Sequence, residues 1–159
     1  MSHLFVLSAH YRSEFWLHIQ RRYLDAYVDV PSTRIFGMCG VRSSAFSPNE
    51  TIIEYAGDHS IALDKLAGAA LEQAHDDDFL LFLDSDAFPI SPVSKMLKNI
   101  GEMAAVQRLE NLGDQQPHPC FTLVTARTFR NLGARLRVLE SVWGEQCDHI
   151  LAFTVARIS

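Results

Sequence analysis

Phe79-Leu80-Leu81-Phe82-Leu83 is an unbroken apolar run, bounded by Asp76-Asp77-Asp78 before it and Asp84-Ser85-Asp86 after it. Five apolar residues without alternation read as a strand covered on both faces. That is the condition of a strand inside a mainly parallel sheet packed between helices. The run is far shorter than the roughly 20 apolar residues that cross a membrane as a helix. Residues 61–75 precede it and are rich in helix formers, with Leu63, Leu66, Ala70 and Ala74 on overlapping apolar faces. Helix followed by buried strand points to the α/β class.

The rest of the chain carries the same alternation. Residues 4–7 read as a strand that stops at Ser8-Ala9-His10-Tyr11-Arg12. Ser13 suits a helix N-cap and Glu14 the positive end of the helix dipole. Trp16, Ile19, Tyr23 and Tyr27 recur at helical spacing and are expected to form the inward face, with Arg21 and Arg22 mainly opposite. Strands are expected at 33–41, 51–55, 104–108 and 121–125, and helices at 94–100 and 128–139. Residues 42–50 and 110–119, rich in polar residues, Pro and Gly, read as loops. Residues 150–158 are β-like and would add to a sheet edge, making a homo-oligomer an expected partner state.

The chain has 159 residues, the length of one domain. Its 14 basic and 19 acidic residues give a net charge of −5, which excludes a generic nucleic-acid phosphate binder. At 48% apolar and 21% charged it is not a disordered chain. Cys39, Cys120 and Cys147 are far apart with no CxxC spacing, so neither a zinc ribbon nor a disulfide framework is expected. Thiols of this kind suit the reducing cytoplasm. The first residues lack the basic stretch of a secretory leader. The expectation is a cytoplasmic protein with no integral membrane segment.

Asp84 and Asp86 fall just past the carboxyl end of the most buried strand, where open α/β sheets bind ligands. Two close carboxylates repel unless a cation lies between them. Mg2+ or Mn2+ takes oxygen ligands and commonly combines one or two carboxylates with substrate phosphates. A negatively charged protein can hold a diphosphate in this way, because the metal supplies the positive charge. The competing reading is a solvated Asp-Ser-Asp turn.

Residues 79–86, Phe-Leu-Leu-Phe-Leu-Asp-Ser-Asp, resemble the DxD signature of GT-A glycosyltransferases. The resemblance spans roughly residues 4–129. It implies a Rossmann-like nucleotide-diphospho-sugar transferase fold with a mixed, mainly parallel sheet, and a nucleotide-sugar donor with a glycan or other hydroxyl acceptor. It implies that Asp86 binds the metal, that Asp84 contacts the ribose or the metal shell, and that Ser8, His10 and Arg12 meet the nucleotide. It also implies a C-terminal acceptor portion, often with a late metal-binding His. Here 1–159 is expected to be a single domain with that portion short, and His118 and His149 are the late histidines.

Other residues have two readings each. Arg12 can pair with phosphate or stay solvated. Asp58 precedes the helix before the DxD strand and suits an N-cap, while Lys65 can reach a phosphate or remain on the surface. Arg108, Asp114, Gln116 and His118 supply donors and acceptors suited to sugar hydroxyls. An inverting transferase needs a carboxylate base, and Glu110, Asp114, Glu145 and Asp148 are the candidates. No GxSxG or GxGxxG is present, so a hydrolase elbow and a dinucleotide fingerprint are unsupported. Two alternatives stand beside the transferase. One is a HAD-type phosphatase using Asp84 as nucleophile. The other is a catalytically inactive nucleotide-sugar-like binding domain.

Overall fold

Strands and helices alternate in the computed structural model, which describes residues 2–108, 116–131 and 133. In chain order they are β1 (Leu4–Tyr11), α1 (Glu14–Tyr27), β2 (Ser32–Cys39), β3 (Thr51–Glu54), α2 (His59–Leu71), β4 (Phe79–Asp84), α3 (Val93–Leu97), β5 (Met103–Arg108), β6 (Gln116–Thr125) and α4 (Ala126–Asn131). The strands form one six-stranded sheet in the order β3-β2-β1-β4-β6-β5. β1 pairs in parallel with β2 and β4, and β2 with β3, whereas β6 is antiparallel to both β4 and β5. Parallel neighbours need long crossovers, and α1 and α2 supply two of them. The α/β class and the mixed sheet are those expected from the buried run.

β4 shows why that run has no alternation. Leu80 and Phe82 pack with Leu63, Leu66, Ala67 and Ala70 of α2 and Phe129 of α4. Leu81 and Leu83 pack on the other face with Leu17 and Leu24 of α1 and Val93 of α3. All four are 0–1% exposed. Each such side chain contributes about 1.5–3 kcal/mol relative to leaving it in water.

Several elements depart from the sequence reading. β1 runs four residues further than 4–7, because Ser8 through Tyr11 pair with Phe36 through Cys39 of β2. The inward face of α1 is Leu17, Gln20 and Leu24, one position on from the face expected at Trp16, Ile19, Tyr23 and Tyr27. Of the expected face, Trp16 is 38% exposed and Ile19, Tyr23 and Tyr27 are half-buried. Gln116 through Pro119 belong to β6 and not to a loop. Pro117 and Pro119 are tolerated because the β4–β6 ladder begins only at Phe121, and the β5–β6 register shifts between Ala105 and Val106. The helix expected at 128–139 begins earlier, at Ala126, and residues 134–139 and 150–158 lie outside the described set.

The acidic run before β4 is not uniformly solvated. Asp78 is 6% exposed and accepts from the backbone N–H of His3 (2.7 Å) and of His75 (2.8 Å). It fastens the start of β1 to the start of β4. Asp77 instead pairs with Arg127 and Asp76 with Arg130, which tie α4 to the same end. Asp78→Ala leaves two donors unpaired, and an expected loss of about 2 kcal/mol follows. The urea midpoint of the variant against wild type measures it, and an unchanged midpoint would refute that role.

Candidate functional site

The strand order reverses at β1. The chain moves outward from β1 to β2 and β3, then returns to β4 on the opposite side of β1. α1 covers one face of the sheet and α2 the other. Sheets of this kind bind ligands in the crevice at the carboxyl ends of the strands where the order reverses, here β1 and β4. Ala9 of β1 is the register partner of Asp84 of β4, so the ends of both strands meet there.

Asp84 through Ala87 form a turn closed by the Ala87 N–H donating to the Asp84 carbonyl at 3.0 Å. The Asp84 side chain is 27% exposed and its Oδ1 lies 3.2 Å from Nε2 of His59, the first residue of α2. Asp86 is exposed on the same turn. The structure thus brings both predicted carboxylates to one turn at the crevice. α1 holds that turn from below. The Gln20 side-chain amide, fully buried, donates to the carbonyls of Asp84 (2.8 Å) and Ala87 (2.7 Å). One helical turn on, the Tyr23 ring stacks on Phe88 with centroids 4.2 Å apart.

Sequence reasoning missed Gln20 as a site-building residue and gave His59 no role beyond its neighbour's cap. The signal for Gln20 was a polar residue inside the Leu17/Leu24 stripe. Asp58 does occupy the N-cap position of α2, but its side chain makes no cap hydrogen bond.

At the end of β1, Ser8 and His10 are fully buried on the α1 side of the sheet, so they lie beneath the crevice rather than on its open surface. The Ser8 hydroxyl, both His10 ring nitrogens and Gln20 Oε1 lack a hydrogen-bond partner of good geometry. His10 sits edge-on to Phe36 and Phe46, at 5.3 and 6.2 Å. Burial lowers its pKa to about 4, opposed in part by Gln20 and Glu50 and assisted by Arg21 and His59. The Tyr55 hydroxyl donates to the His10 carbonyl at 3.3 Å, and burial raises that phenol to about 12.

The His10 shift makes a stability prediction. Above pH 6.5 the imidazole is neutral in folded and unfolded chains and contributes no pH dependence. Between 6.5 and about 4 only the unfolded chain takes the proton, so stability falls as pH falls. The loss attributable to His10 is about 3 kcal/mol across that window. Denaturant unfolding at pH 7 and pH 4.5 should show it in wild type, and less of it in His10→Phe, which keeps an aromatic ring there. Equal losses in both proteins would refute it.

Arg12 and Tyr11 are the exposed residues at this end. Arg12 has φ 53°, a left-handed conformation that is unfavourable for a side-chain-bearing residue, held by its N–H donating to the Cys39 carbonyl at 2.9 Å. Gly40 opposite has φ 66°, and a Cβ there would stand 3.1 Å from Arg12 Cγ. The Arg12 guanidinium lies over the Tyr11 ring at 4.8 Å, presenting a cation and an aromatic face at the crevice rim.

The remaining predicted residues are spread more widely. Lys65 is exposed on α2. Arg108 and His118 are described by their ladder positions, opposite Gln116 and Val106. Phe121 pairs with Leu83, so the Gln116 end of β6 runs past the Asp84 edge of β4, and topology carries Arg108 and His118 toward that edge. Glu110, Asp114, Glu145, Asp148 and His149 lie outside the described residues.

Among the described residues no three His, Cys, Asp or Glu side chains gather as a ready-made metal cage. Two carboxylates on one turn, with a neighbouring imidazole, still suit a hard divalent cation that completes its shell with water and substrate phosphate. Among the described residues no helix is long and apolar enough to cross a membrane.

No protein-family model and no curated protein matches the chain. Solved structures match its fold. The glycosyltransferase GlyE of Streptococcus pneumoniae TIGR4 superposes with a TM-score of 0.60 at 13% identity over 98% of this chain and 43% of its own. The mannosyltransferase PcManGT of Pyrobaculum calidifontis, solved with GDP-Man and Mn2+, gives 0.55 at 14% identity over 98% of this chain and 51% of its own. The 2-C-methyl-D-erythritol 4-phosphate cytidylyltransferase of Francisella tularensis gives 0.58 at 11% identity over 97% of this chain and 87% of its own. The chain therefore has the fold of glycosyl- and nucleotidyltransferases, and it spans about half the length of these two glycosyltransferases.

Proposed function

We propose that the crevice between β1 and β4 is the donor site of a metal-dependent glycosyltransferase that takes a nucleoside-diphosphate sugar. The observation that carries this is the pair Asp84 and Asp86 on one turn at the strand-order reversal, beside the end of β1. Asp86, and Asp84 with it, would hold Mn2+ or Mg2+. The bound cation would supply positive charge to the departing diphosphate. Arg12 and Tyr11 would meet the nucleotide at the rim, Ser8 and His10 would act from beneath it, and Lys65 would be a further cation on α2. Arg108 on β5 and His118 on β6 would serve the sugar or acceptor. Glu110, Asp114, Glu145 and Asp148 remain the candidates for a base, and a glycan or other hydroxyl compound is the acceptor. The widely spaced cysteines are the ground for proposing a cytoplasmic enzyme, and the HAD-type phosphatase is not favoured by the fold likeness.

A second reading is nucleotidyl transfer, because the cytidylyltransferase is matched over most of its length. One assay separates the two. The protein is incubated with Mn2+ and either nucleoside-diphosphate sugars or nucleoside triphosphates plus sugar phosphates. Metal-dependent release of nucleoside diphosphate supports glycosyl transfer. Pyrophosphate release from a triphosphate would replace it with nucleotidyl transfer.

A further inference from the structure

We infer that Gln20 is a positioning residue for the carboxylate turn, acting through the backbone of Asp84 and Ala87; this rests on the donor-site reading of that turn. A turn that carries two carboxylates has a conformational problem of its own. Without a cation the charges push apart, and a four-residue turn at a strand end has few other constraints. In this protein the constraint comes from α1. Both N–H groups of one amide are engaged, one with the carbonyl that opens the turn and one with the carbonyl that closes it, at 2.8 and 2.7 Å. The Asp84 carbonyl also accepts from the Ala87 N–H, so three hydrogen bonds tie the two ends together.

Two carbonyl acceptors require the nitrogen side of the amide to face the turn, which directs Gln20 Oε1 away from it. That oxygen is buried on the side of His10, whose lowered pKa it opposes, with no hydrogen bond of good geometry there. Burying an amide is costly unless its polar atoms are used, and a residue there for packing alone would be better as Leu or Met. The neighbours on the same stripe, Leu17 and Leu24, are of that kind. Tyr23 on the next turn of α1 braces the following residue, Phe88, by stacking. α1 therefore anchors the segment from Asp84 to Phe88 at three points, while the Asp86 carboxylate stays exposed and Asp84 Oδ1 faces His59 Nε2 at 3.2 Å.

The test uses the whole chain with Mn2+ and UDP, GDP, CDP or ADP in turn. Bound Mn2+ is counted by electron paramagnetic resonance, and exchange of the Ala87 amide is followed by NMR. Gln20→Met keeps the volume and removes both donors. Gln20→Glu keeps shape and polarity and, protonated, can restore one donor. Supporting partners of metal ligands typically change affinity by about 10–100-fold, so Gln20→Met is expected to weaken Mn2+ uptake by that factor. Gln20→Glu should fall between it and wild type, and the Ala87 amide should exchange faster in the same order while core amides stay protected. A folded Gln20→Met or Gln20→Glu protein with wild-type uptake and Ala87 exchange would overturn the positioning role and leave the donor site standing. Wild type that takes up no Mn2+ with any nucleotide would overturn the donor site, and the positioning role with it.

Discussion

Asp86→Ala is expected to abolish the stabilisation of the protein by nucleoside diphosphates in the presence of Mn2+, while the melting temperature without ligand stays at the wild-type value. Asp86 is exposed and lies beyond the end of β4, so truncating it removes no core contact. Surface changes of that kind stay within about 0.5 kcal/mol. The ligand effect is much larger. A ligand at 100 times its dissociation constant stabilises by about 2.7 kcal/mol. For a domain of this size that is a rise of about 5–10 °C. A panel of UDP, GDP, CDP and ADP and their sugar conjugates, each with and without Mn2+, reads both quantities and identifies the base. A shift that survives in Asp86→Ala would remove the metal from Asp86.

Phe82→Ala is expected to have the largest effect on the fold itself, about 4 kcal/mol. Phe82 is 1% exposed at the middle of β4, with its ring stacked on Phe129 of α4 at 5.5 Å. The residual cavity would sit between β4, α2 and α4, elements that pack in one cluster and cannot close on it without moving the sheet. Ile90→Ala is the matched comparison, because Ile90 is 75% exposed, and its effect should stay within about 0.5 kcal/mol. Urea midpoints of the two variants decide it. A Phe82→Ala cost below about 1 kcal/mol would mean that β4 is not the packing centre.

The part of the fold legible in the sequence was the part governed by local periodicity. Five apolar residues in a row announced β4 because a strand buried on both faces needs no polar side. α2 was readable for the same reason, since Ala and Leu at helical spacing leave little else to do. On α1 the spacing of Trp16, Ile19, Tyr23 and Tyr27 points to a face one position off the buried one, Leu17, Gln20 and Leu24. In the structure Phe15 and Trp16 stay largely outside, and a polar residue, Gln20, takes a core position because two backbone carbonyls lie within its reach. No local pattern encodes that, as the carbonyls belong to residues 64 and 67 positions away. Ser8 and His10 illustrate the same limit. They read as loop residues from their polarity, yet parallel pairing with β2 carries the strand through them and buries both. Asp78 is one of three consecutive acids, and only the closeness of the His3 and His75 backbone N–H groups makes it an internal clamp. The place of the carboxylate pair, just after a buried strand at the end of β4, was legible. Its neighbours His59 and Gln20 come from helices on opposite faces of the sheet and required the tertiary structure.

The most direct test of a donor site at the end of β4 is to locate the metal. Backbone amide spectra of the wild-type protein are recorded with a nucleoside diphosphate as Mn2+ is added, and paramagnetic broadening is mapped onto the chain. The protein provides its own comparison, because Asp76-Asp77-Asp78 at the other end of β4 is an acidic cluster already engaged by Arg127, Arg130 and backbone N–H groups. Broadening centred on Ser85, Asp86 and Ala87, extending to Tyr11 and Arg12, is the predicted result. Broadening centred on residues 76–78, or none at the 84–87 turn with any nucleotide, would contradict it.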